Sequence, residues 1–450
     1  MDIAISKGLD IPISGEPEQS IQQGNSVTEV ALLGFDVVGL RPSMAVRVGD
    51  KVAGGQLLFT DKHNPGVRFT APSAGRVTAI HRGPRRHFES IVINLEGDEE
   101  LSFTSGYQPA APLPDAEKIK EILVSSGQWT ALRTRPYGKI PALNANPASL
   151  FITAMDSQPL AADPIVIINA YRDDFALGVQ ALQAVAPKTF LCAAPGPPLP
   201  GSNFPTLEVA RFSGPHPAGL ASTHIHFLDP IQPDKEVWYI GYQDVIAIGH
   251  LFRTGTLWSE RVIALSGPAM ERPRLVKTLA GASITELCQN EVAAAARLIA
   301  GSVLTGHPMG EKGVHGYLGR YQHQVCALPD KDGSGFFNWL RSGSDRYSCL
   351  PLFLSGFTQK PPVKFPMSTA TWGGRRAILP IGTYEKVMPL NFITTALLKS
   401  IATGNTEKAA DLGCLELVEE DLALCSFVCP GKNNFGPMLR SVLTSIEEDG

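Results

Sequence analysis

Two cysteines near the C-terminus have a spacing that could serve an iron–sulfur cluster. Cys425 and Cys429 are separated by three residues, and a proline follows the second cysteine directly. A ferredoxin-type motif reads C-x2-C-x2-C-x3-C-P, because thiolates at that spacing can surround a [4Fe–4S] core. Its first two thiolates would fall at Glu419 and Leu422. Half of the ligand set is missing, so the run predicts a degenerate cluster site. The alternative is two small, buried side chains four residues apart on one helix face.

Three histidines form a second candidate group. His216, His224 and His226 fall within eleven residues. If His224 and His226 lie on a strand, they face the same side and could form a metal pair. Asp229 is the one further ligand close by, and no acidic helper stands at a standard spacing. A structural histidine cluster remains the alternative, and we expect no metal site.

Motifs of nucleophilic or nucleotide chemistry are not apparent. The segment 306–313 is glycine-rich but fails the G-x4-G-K-[ST] spacing of a phosphate loop, so it reads as an ordinary loop. There is no G-x-S-x-G, no H-E-x-x-H and no paired-carboxylate signature.

Composition indicates a globular chain without a membrane span. The 450 residues suggest about three domains. The net charge of −4 gives no basic excess for nucleic acid or anionic lipid. The longest apolar stretches, Pro164–Ile168 and Val245–Phe252, are only strand-length. The N-terminus lacks a signal-peptide pattern, and an odd number of cysteines does not suggest disulfides. We therefore expect a cytoplasmic protein.

The first third of the chain predicts a small β module. Val46–Val52, Gln56–Phe59 and Phe69–Ile80 are short runs with alternating polarity and closely spaced turns. They resemble the barrel-sandwich hybrid of biotinyl and lipoyl carrier domains, which present a lysine on a hairpin. Lys62 lies at the matching place without the usual flanking pattern. We favour a purely structural module over a modified Lys62.

An α/β layer is predicted from about residue 112. Asp115–Val124 reads as a helix with an aspartate cap, and Phe175–Val185 as another helix. Strands are predicted at Phe151–Met155, Ile165–Ile168 and Thr189–Ala193. This alternation is typical of a Rossmann-like domain.

The remaining chain predicts a β-grasp element and a helical end. Arg274–Leu287 reads as a strand and a short helix, with Ser283 and Glu286 as a capping box. From Tyr384 onward the pattern is leucine-rich and helical.

Six stretches spread along the chain carry a family resemblance. They are Ile5–Pro17, His63–Val77, Trp129–Pro141, Phe212–Pro230, Tyr384–Phe392 and Leu415–Lys432. Together they resemble the NqrA family, which supplies one subunit of the Na+-translocating NADH:quinone oxidoreductase. That family is related to the C subunit of the Rnf complex and to the flavin-carrying subunit of respiratory complex I.

The resemblance implies that two redox sites of the relatives are lost. One is the cysteine set described above. The other is a glycine-rich loop for FMN and NADH, which would fall at residues 126–136. Trp129, Leu132 and Arg133 stand there, where close approach of a phosphate to the backbone needs glycine. The expected subunit therefore binds no flavin or cluster, and FAD, FMN and Fe–S centres belong to its partners.

The resemblance and the patterns together imply a multidomain α/β and α+β protein. We expect an N-terminal region at 1–111 with the barrel-sandwich module at about 36–97, and a Rossmann-like domain at 112–256. A β-grasp (SLBB-like) domain follows at 257–383, and a C-terminal helical domain with the degenerate ferredoxin-type motif at 384–450.

The family's reaction implies the expected role. The complex is a translocase that oxidises NADH, reduces ubiquinone and pumps Na+ out of the cytoplasm. This protein would lie peripherally on the cytoplasmic face of the bacterial inner membrane, against a membrane-embedded subunit. It would support assembly and quinone interaction without catalysing in isolation. Alternatives are an Rnf-C-like electron-transfer protein holding a flavin or cluster, and a lipoyl-type carrier.

Histidine donors suit a quinone carbonyl, and aromatic neighbours would hold the ring. The candidate quinone contacts are His216, His224, His226, Phe212, Phe227 and Arg133.

Overall fold

The structure is a computed structural model. It describes residues 1–103, 112–232, 234–293, 295–309, 316–330, 342–343, 346–349, 353–355, 363–370 and 373–449. The second half of the 306–313 loop lies outside the described residues. The strands, in chain order, are β1 (Asp2–Ala4), β2 (Glu18–Gln23), β3 (Glu29–Leu33), β4 (Pro42–Met44), β5 (Lys51–Val52), β6 (Leu57–Asp61), β7 (Arg68–Thr70), β8 (Gly75–Arg82), β9 (Phe88–Leu95), β10 (Arg133–Arg135), β11 (Ser149–Ala154), β12 (Thr189–Ala193), β13 (Leu207–Ser213), β14 (Val237–Gly241), β15 (Glu260–Ser266), β16 (Arg274–Leu279), β17 (Ala296–Ala300), β18 (His307–Pro308) and β19 (Gln324–Pro329).

Helices occur mainly in the α/β domain and at the C-terminal end. They are α1 (Ala116–Ser125), α2 (Pro164–Ala170), α3 (Arg172–Gln183), α4 (Ala221–Leu228), α5 (Tyr242–Thr254), α6 (Ile284–Leu287), α7 (Thr383–Val387), α8 (Thr394–Ala402), α9 (Thr406–Asp411), α10 (Ala423–Val428) and α11 (Phe435–Asp449). Within the described ranges, none is long and apolar enough to cross a membrane.

Six strands form the sheet of the α/β domain, in the order β1-β13-β12-β11-β14-β10. Five of them are parallel, and β10 runs antiparallel to β14 at the edge. The chain runs from β11 outward to β12 and β13, and then returns to β14 on the other side of β11. The strand order therefore reverses between β11 and β14. In open α/β sheets, ligands bind at the carboxyl ends of the strands at such a switch point.

The predicted strand at Ile165–Ile168 is wrong, because the segment lies in helix α2. The Asp163 side chain accepts a hydrogen bond from the Ile165 amide at 2.9 Å, and Pro164 occupies the first turn. Both features favour a helix start, and they outweigh the strand preference of β-branched residues. The apolar run Val245–Phe252 is likewise helical, within α5. The predicted α1, α3, β11 and β12 are confirmed.

The barrel-sandwich module consists of two small sheets with strand orders β3-β9-β8-β5 and β4-β6-β7. Leu58, Val77 and Ile91 are fully buried in their shared core, where the Phe59 and Phe69 rings stack at 4.6 Å. The predicted module is thus confirmed, with β3 lying before residue 36.

Lys62 follows strand β6 and is exposed at the surface. The Asp61 carboxylate shapes this turn by accepting hydrogen bonds from the Arg41 and His63 amides at 3.1 and 3.0 Å. The turn therefore has a structural explanation that does not involve the Lys62 side chain.

The β-grasp sheet has the order β18-β17-β19-β15-β16-β2, so strand β2 from the N-terminal region joins it parallel to β16. The predicted capping box is wrong. The Ser283 side chain makes no cap, and the Glu286 carboxylate instead accepts from the Thr28 amide at 2.7 Å. The glutamate is therefore used to attach the N-terminal region to this domain.

The C-terminal domain is helical, as predicted. Helices α7 to α11 enclose a core in which Leu397, Leu398, Phe435, Leu439 and Leu443 are fully buried. This core also contains the cysteines of the degenerate motif.

Candidate functional site

His224 and His226 lie on helix α4, so the strand on which they would face the same side is not formed. Residues two apart on a helix diverge by about 200°. His224 points into the core, where its Nε2 pairs with the Ala218 carbonyl oxygen at 3.1 Å and its ring lies 4.4 Å from that of Phe212. His226 points toward the C-terminal domain, and its Nδ1 lies 2.8 Å from a Glu416 carboxylate oxygen. The two rings cannot share a metal ion.

His216 is a buried structural histidine in the present geometry. Its Nδ1 lies 3.1 Å from the Ser157 hydroxyl. Burial lowers the pKa of His216 to about 4 and that of His224 to about 3, so both rings are neutral at pH 7. Phe227 is 38% exposed and separate from them. In the described part of the chain, no group of three or more His, Cys, Asp and Glu side chains could hold a metal ion.

The segment 126–136 is filled by large side chains. Trp129 and Leu132 are fully buried. The Trp129 indole donates to the Pro141 carbonyl oxygen at 2.9 Å and meets the Trp238 ring edge-on at 5.4 Å. The segment therefore contributes to the core at the place where the relatives' phosphate-binding loop is expected.

Arg135, two residues beyond Arg133 on strand β10, is buried and well supplied with partners. Its Nε donates to the Ser222 hydroxyl at 3.1 Å, and its Nη2 lies 3.7 Å from the Asp421 carboxylate. Ser222 in turn donates to Asp421 at 2.7 Å. This group joins the α/β sheet to the C-terminal helical domain.

The degenerate cluster run is packed solidly. Leu422 and Cys429 are fully buried, and Cys425 is 1% exposed. Glu419 forms a two-pronged ion pair with the Arg440 guanidinium at 2.7 and 2.8 Å. At the two missing thiolate positions stand Leu422, which is a core residue, and Glu419, which forms a salt bridge.

The Cys429 thiol has its own hydrogen bonds. The Tyr384 hydroxyl lies 3.0 Å from Sγ, and the Asn433 amide donates to Sγ at 3.4 Å. Burial raises the pKa of Cys429, but these hydrogen bonds outweigh it and leave the pKa below its usual range. Burial, helped by the nearby Glu385 carboxylate and the Cys429 thiol, raises the pKa of Cys425 to about 12. Cys425 and Cys429 are therefore integrated into the core in different ways.

Two of the cavities lined by described residues lie where the domains meet, and they share Tyr321 and Gln322 in their walls. The junction cavity, of about 100 Å³, is mainly apolar. Its walls include Leu32, Phe59, Phe69, Trp258, Arg320 and Tyr321. The switch-point crevice, of about 160 Å³, is more polar and lies at the carboxyl ends of β11 and β14. Its walls include Arg133, Asp156, Gly241, Tyr242, Ser302 and His323.

Arg133 is the one sequence-predicted candidate in the wall of either cavity. Its guanidinium carbon lies 4.6 Å from the centre of the Tyr239 ring and 4.4 Å from that of Tyr321. The Tyr321 hydroxyl donates to the Thr130 carbonyl oxygen at 2.7 Å, which fixes its ring. Among the described residues, no carboxylate and no hydrogen-bond acceptor pairs with the Arg133 guanidinium.

Asp156 and Tyr242, which the sequence analysis did not single out, define the floor of the switch-point crevice. Asp156 follows strand β11, and Tyr242 opens helix α5 directly after β14. Burial raises the pKa of Asp156 to about 7, against a hydrogen bond from the Gln158 amide. The signal that could have found these residues is their place directly after parallel strands. The predicted strand β11 offers that signal for Asp156, whereas β14 is not predicted, so the signal is missing for Tyr242.

The class of the protein follows from its domains. A barrel-sandwich module, an α/β sheet with an open switch-point crevice, an SLBB-type β-grasp sheet and a helical C-terminal domain are combined in one chain. Family models match three of these parts. The N-terminal barrel-sandwich hybrid domain of NqrA matches residues 3–96, the NqrA second alpha/beta domain matches 114–257, and the NQRA C-terminal domain matches 262–310.

Full-length relatives identify the particular family. They are the A subunits of Na(+)-translocating NADH-quinone reductases. The chain is 50% identical to the protein of Pasteurella multocida over 450 residues, which is 100% of both chains. It is 51% identical to the protein of Hahella chejuensis and 49% identical to that of Histophilus somni, again over 100% of each chain. The chain belongs to this NqrA family of Na+-translocating NADH-quinone reductase subunits.

Among solved structures, an NAD+-reducing [NiFe]-hydrogenase in the H2-reduced state covers 48% of this chain and 47% of its own. The sequence identity is 14% and the TM-score is 0.36. This distant likeness carries no argument about function.

Proposed function

We propose that this chain is the peripheral, non-redox subunit of a Na+-translocating NADH:quinone oxidoreductase. The complex oxidises NADH, reduces ubiquinone and moves Na+ from the cytoplasm to the periplasm, as a translocase of the respiratory chain. The proposal rests on one observation, the end-to-end similarity to relatives that carry the NADH-quinone reductase name. In this proposal the chain docks at the cytoplasmic face on a membrane-embedded partner and contacts no nucleic acid.

Two features support a protein without its own redox centre. Leucine and glutamate occupy the first two ligand positions of the cluster motif, and the leucine is fully buried. Trp129 and Leu132 fill the segment where a flavin phosphate would need close backbone approach. The residues present therefore do not fit either group, and we assign FAD, FMN and Fe–S centres to partner subunits.

Quinone interaction is the second part of the proposal. Of the six candidate contacts, Arg133 lies beside a cavity, whereas His216, His224 and Phe212 belong to a closed core. The junction cavity is better suited to a quinone ring, because apolar and aromatic side chains line it and a few polar groups are present. An engineered cavity of roughly 150 Å³ holds benzene, so the enclosed space of about 100 Å³ takes only part of a substituted quinone ring, and the rest of the ring would lie at the open side of the cavity. We infer that the headgroup enters here.

Activity measurements on membranes test the proposed role of the chain in the complex. Deleting the chain should abolish Na+-stimulated ubiquinone reduction by NADH, and restoring it should recover the activity together with co-purification of the membrane subunits. Unchanged Na+-stimulated activity without the chain would contradict the proposed role.

Filling the junction cavity tests the second part. Ala280 lines it, so Ala280→Leu should weaken saturable binding of a short-chain ubiquinone analogue by about tenfold or more. Ala402→Leu, at an exposed helical position, is the matched control and should leave binding unchanged. The measurement is a titration of the full chain. Equal binding by both variants would place the quinone elsewhere.

A further inference from the structure

We propose that the switch-point crevice binds a small molecule bearing a carboxylate or phosphate group, with Arg133 as its main partner. This inference does not depend on the quinone proposal, because it concerns the neighbouring cavity and a different ligand chemistry.

The first argument is that the Arg133 guanidinium has no direct ion pair or hydrogen bond among the described residues, although the Glu420 and Asp244 carboxylates are near enough to raise its pKa. Arg135 on the same strand has Ser222 and Asp421 as partners, and Arg320 donates to Asp244 at 2.6 Å. Arg133 has no such partner among the described residues. Its guanidinium carbon lies close to two tyrosine rings. A guanidinium held in this way has lost much of its water, and its N–H groups form a fork that matches carboxylate or phosphate oxygens.

A second argument comes from other polar groups that lack partners around the crevice. Tyr239 is 3% exposed, lines the crevice, and its hydroxyl makes no hydrogen bond of normal geometry although Arg135 lies beside it. The Gln158 side-chain oxygen is also buried without a partner. Buried polar groups are rarely left unpaired. A ligand with an anionic group and a hydroxyl or amine would satisfy Arg133, Tyr239 and Gln158 together.

Position in the fold is the third argument. Helix α5 begins at the crevice directly after β14, and its N-cap is Gly241, which provides no side-chain cap. The first amides of the helix therefore remain available, and the positive end of its dipole favours an anion. A Cβ added to Gly241 would meet only the His323 ring, at 3.7 Å, so the approach to these amides is open.

Two carboxylates limit the affinity. Glu420 lines the crevice, and its Oε1 lies 3.8 Å from Arg135. Asp156 lies on the floor. A bound anion must share the crevice with the Glu420 charge, which predicts modest affinity and gives a way to raise it. Removing the Glu420 charge should strengthen binding, which a purely structural role of Arg133 would not predict.

The test is calorimetric titration of the full chain with inorganic phosphate and, separately, with succinate. We expect saturable binding of one molecule per chain for at least one of them. The stronger binder identifies whether the site prefers phosphate or carboxylate. Arg133→Gln should weaken binding by about tenfold or more, and Arg133→Lys, which keeps the charge without the fork, should weaken it less. Glu420→Gln should tighten it several-fold.

Arg297→Gln is the matched control, because Arg297 is an exposed arginine paired with Asp330 at 2.8 Å. It should bind like the unaltered chain. Absence of binding for both probes, or equal binding by Arg133→Gln and Arg297→Gln, would overturn the proposal. If Arg133→Gln does not fold, Glu420→Gln decides, since unchanged or weaker binding in that variant also overturns it. Ubiquinone-analogue binding, followed in the same variants, separates this site from the junction cavity.

Discussion

The switch-point crevice and the degenerate cluster run differ in how their polar groups are satisfied. In the crevice, the Arg133 guanidinium and the Gln158 side-chain oxygen have no hydrogen-bond partner among the described residues, and the Tyr239 hydroxyl has only the neighbouring Arg135 guanidinium. In the cluster run, Glu419 is paired with Arg440, and the Cys429 thiol is hydrogen-bonded to Tyr384.

This difference shows two outcomes for regions that resemble ligand sites. The cluster run is a packed core, so its side chains contribute to the stability of the fold. The crevice has remained open and polar, so its side chains are available to a ligand. The unpaired polar groups therefore favour the crevice over the cluster run as the place where a ligand binds.

The largest expected effect comes from creating a cavity in the packed cluster run. Leu422 is fully buried, so Leu422→Ala should lower the free energy of unfolding by about 3–5 kcal/mol. Leu379 is 44% exposed, so Leu379→Ala should change the free energy of unfolding by no more than about 0.5 kcal/mol. Urea unfolding measures both. A loss below about 1 kcal/mol for Leu422→Ala would show that the cluster run is not a tight core.

A smaller, pH-dependent effect is expected in the crevice. The pKa of Asp156 is raised from 3.8 to about 7, so the folded chain holds a proton that the unfolded chain releases. Stability is therefore lost as pH rises from about 4 to about 7, by roughly 4 kcal/mol at most. Asp156→Asn cannot release that proton. Its stability relative to the unaltered chain should rise by on the order of 2 kcal/mol between pH 5 and pH 8.

Comparing the Asp156→Asn variant with the unaltered chain cancels the contributions of the other titrating groups to the pH dependence. Neutral, buried His216 and His224 act in the opposite direction, because their lowered pKa values destabilise the fold as pH falls below about 6.5. They contribute equally to both chains. Asp449→Asn, at an exposed position, should show no such pH-dependent gain. A difference between Asp156→Asn and the unaltered chain that stays constant with pH would contradict the assigned burial.

The smallest effect concerns the Tyr384 hydroxyl. Tyr384→Phe keeps the ring, which meets Phe435 edge-on at 5.8 Å, and removes the hydrogen bond to Cys429. The expected loss is about 1 kcal/mol in urea unfolding, and the pKa of Cys429 should rise. Adding Cys429→Ala should remove most of the difference between Tyr and Phe at position 384. If that difference persists, the hydroxyl acts through another group.

Local signals in the sequence were sufficient for several elements and failed for others. The Asp115 cap accepts from the Lys118 amide at 2.9 Å, as its place before a helical pattern predicts. Short apolar runs are ambiguous between strand and helix. That ambiguity explains the error at Ile165–Ile168, and it is why the sequence leaves open whether His224 and His226 lie on a strand or on a helix. The prediction of a capping box with Glu286 is wrong for another reason. The hydrogen-bond partner of Glu286 is Thr28, which is remote in sequence.

The candidate site was less predictable than the fold. Arg133 stands out in the sequence as a bulky residue in place of a glycine and as a candidate quinone contact, but its surroundings in the fold come from Tyr239 and Tyr321. These two residues lie far along the chain and carry no motif. His216, His224 and Phe212 are close in sequence, yet packing places them in a closed core. Side chains that share a cavity only after folding leave no local pattern.

We propose that this protein carries no redox centre of its own, and anaerobic reconstitution is the direct test of that proposal. The full chain would be incubated with iron and sulfide, reduced, and examined by EPR together with a Cys425→Ala/Cys429→Ala variant. The account predicts no stoichiometric cluster signal and identical spectra for the two proteins. A stoichiometric signal that disappears in the double variant would contradict it and favour an Rnf-C-like electron-transfer protein.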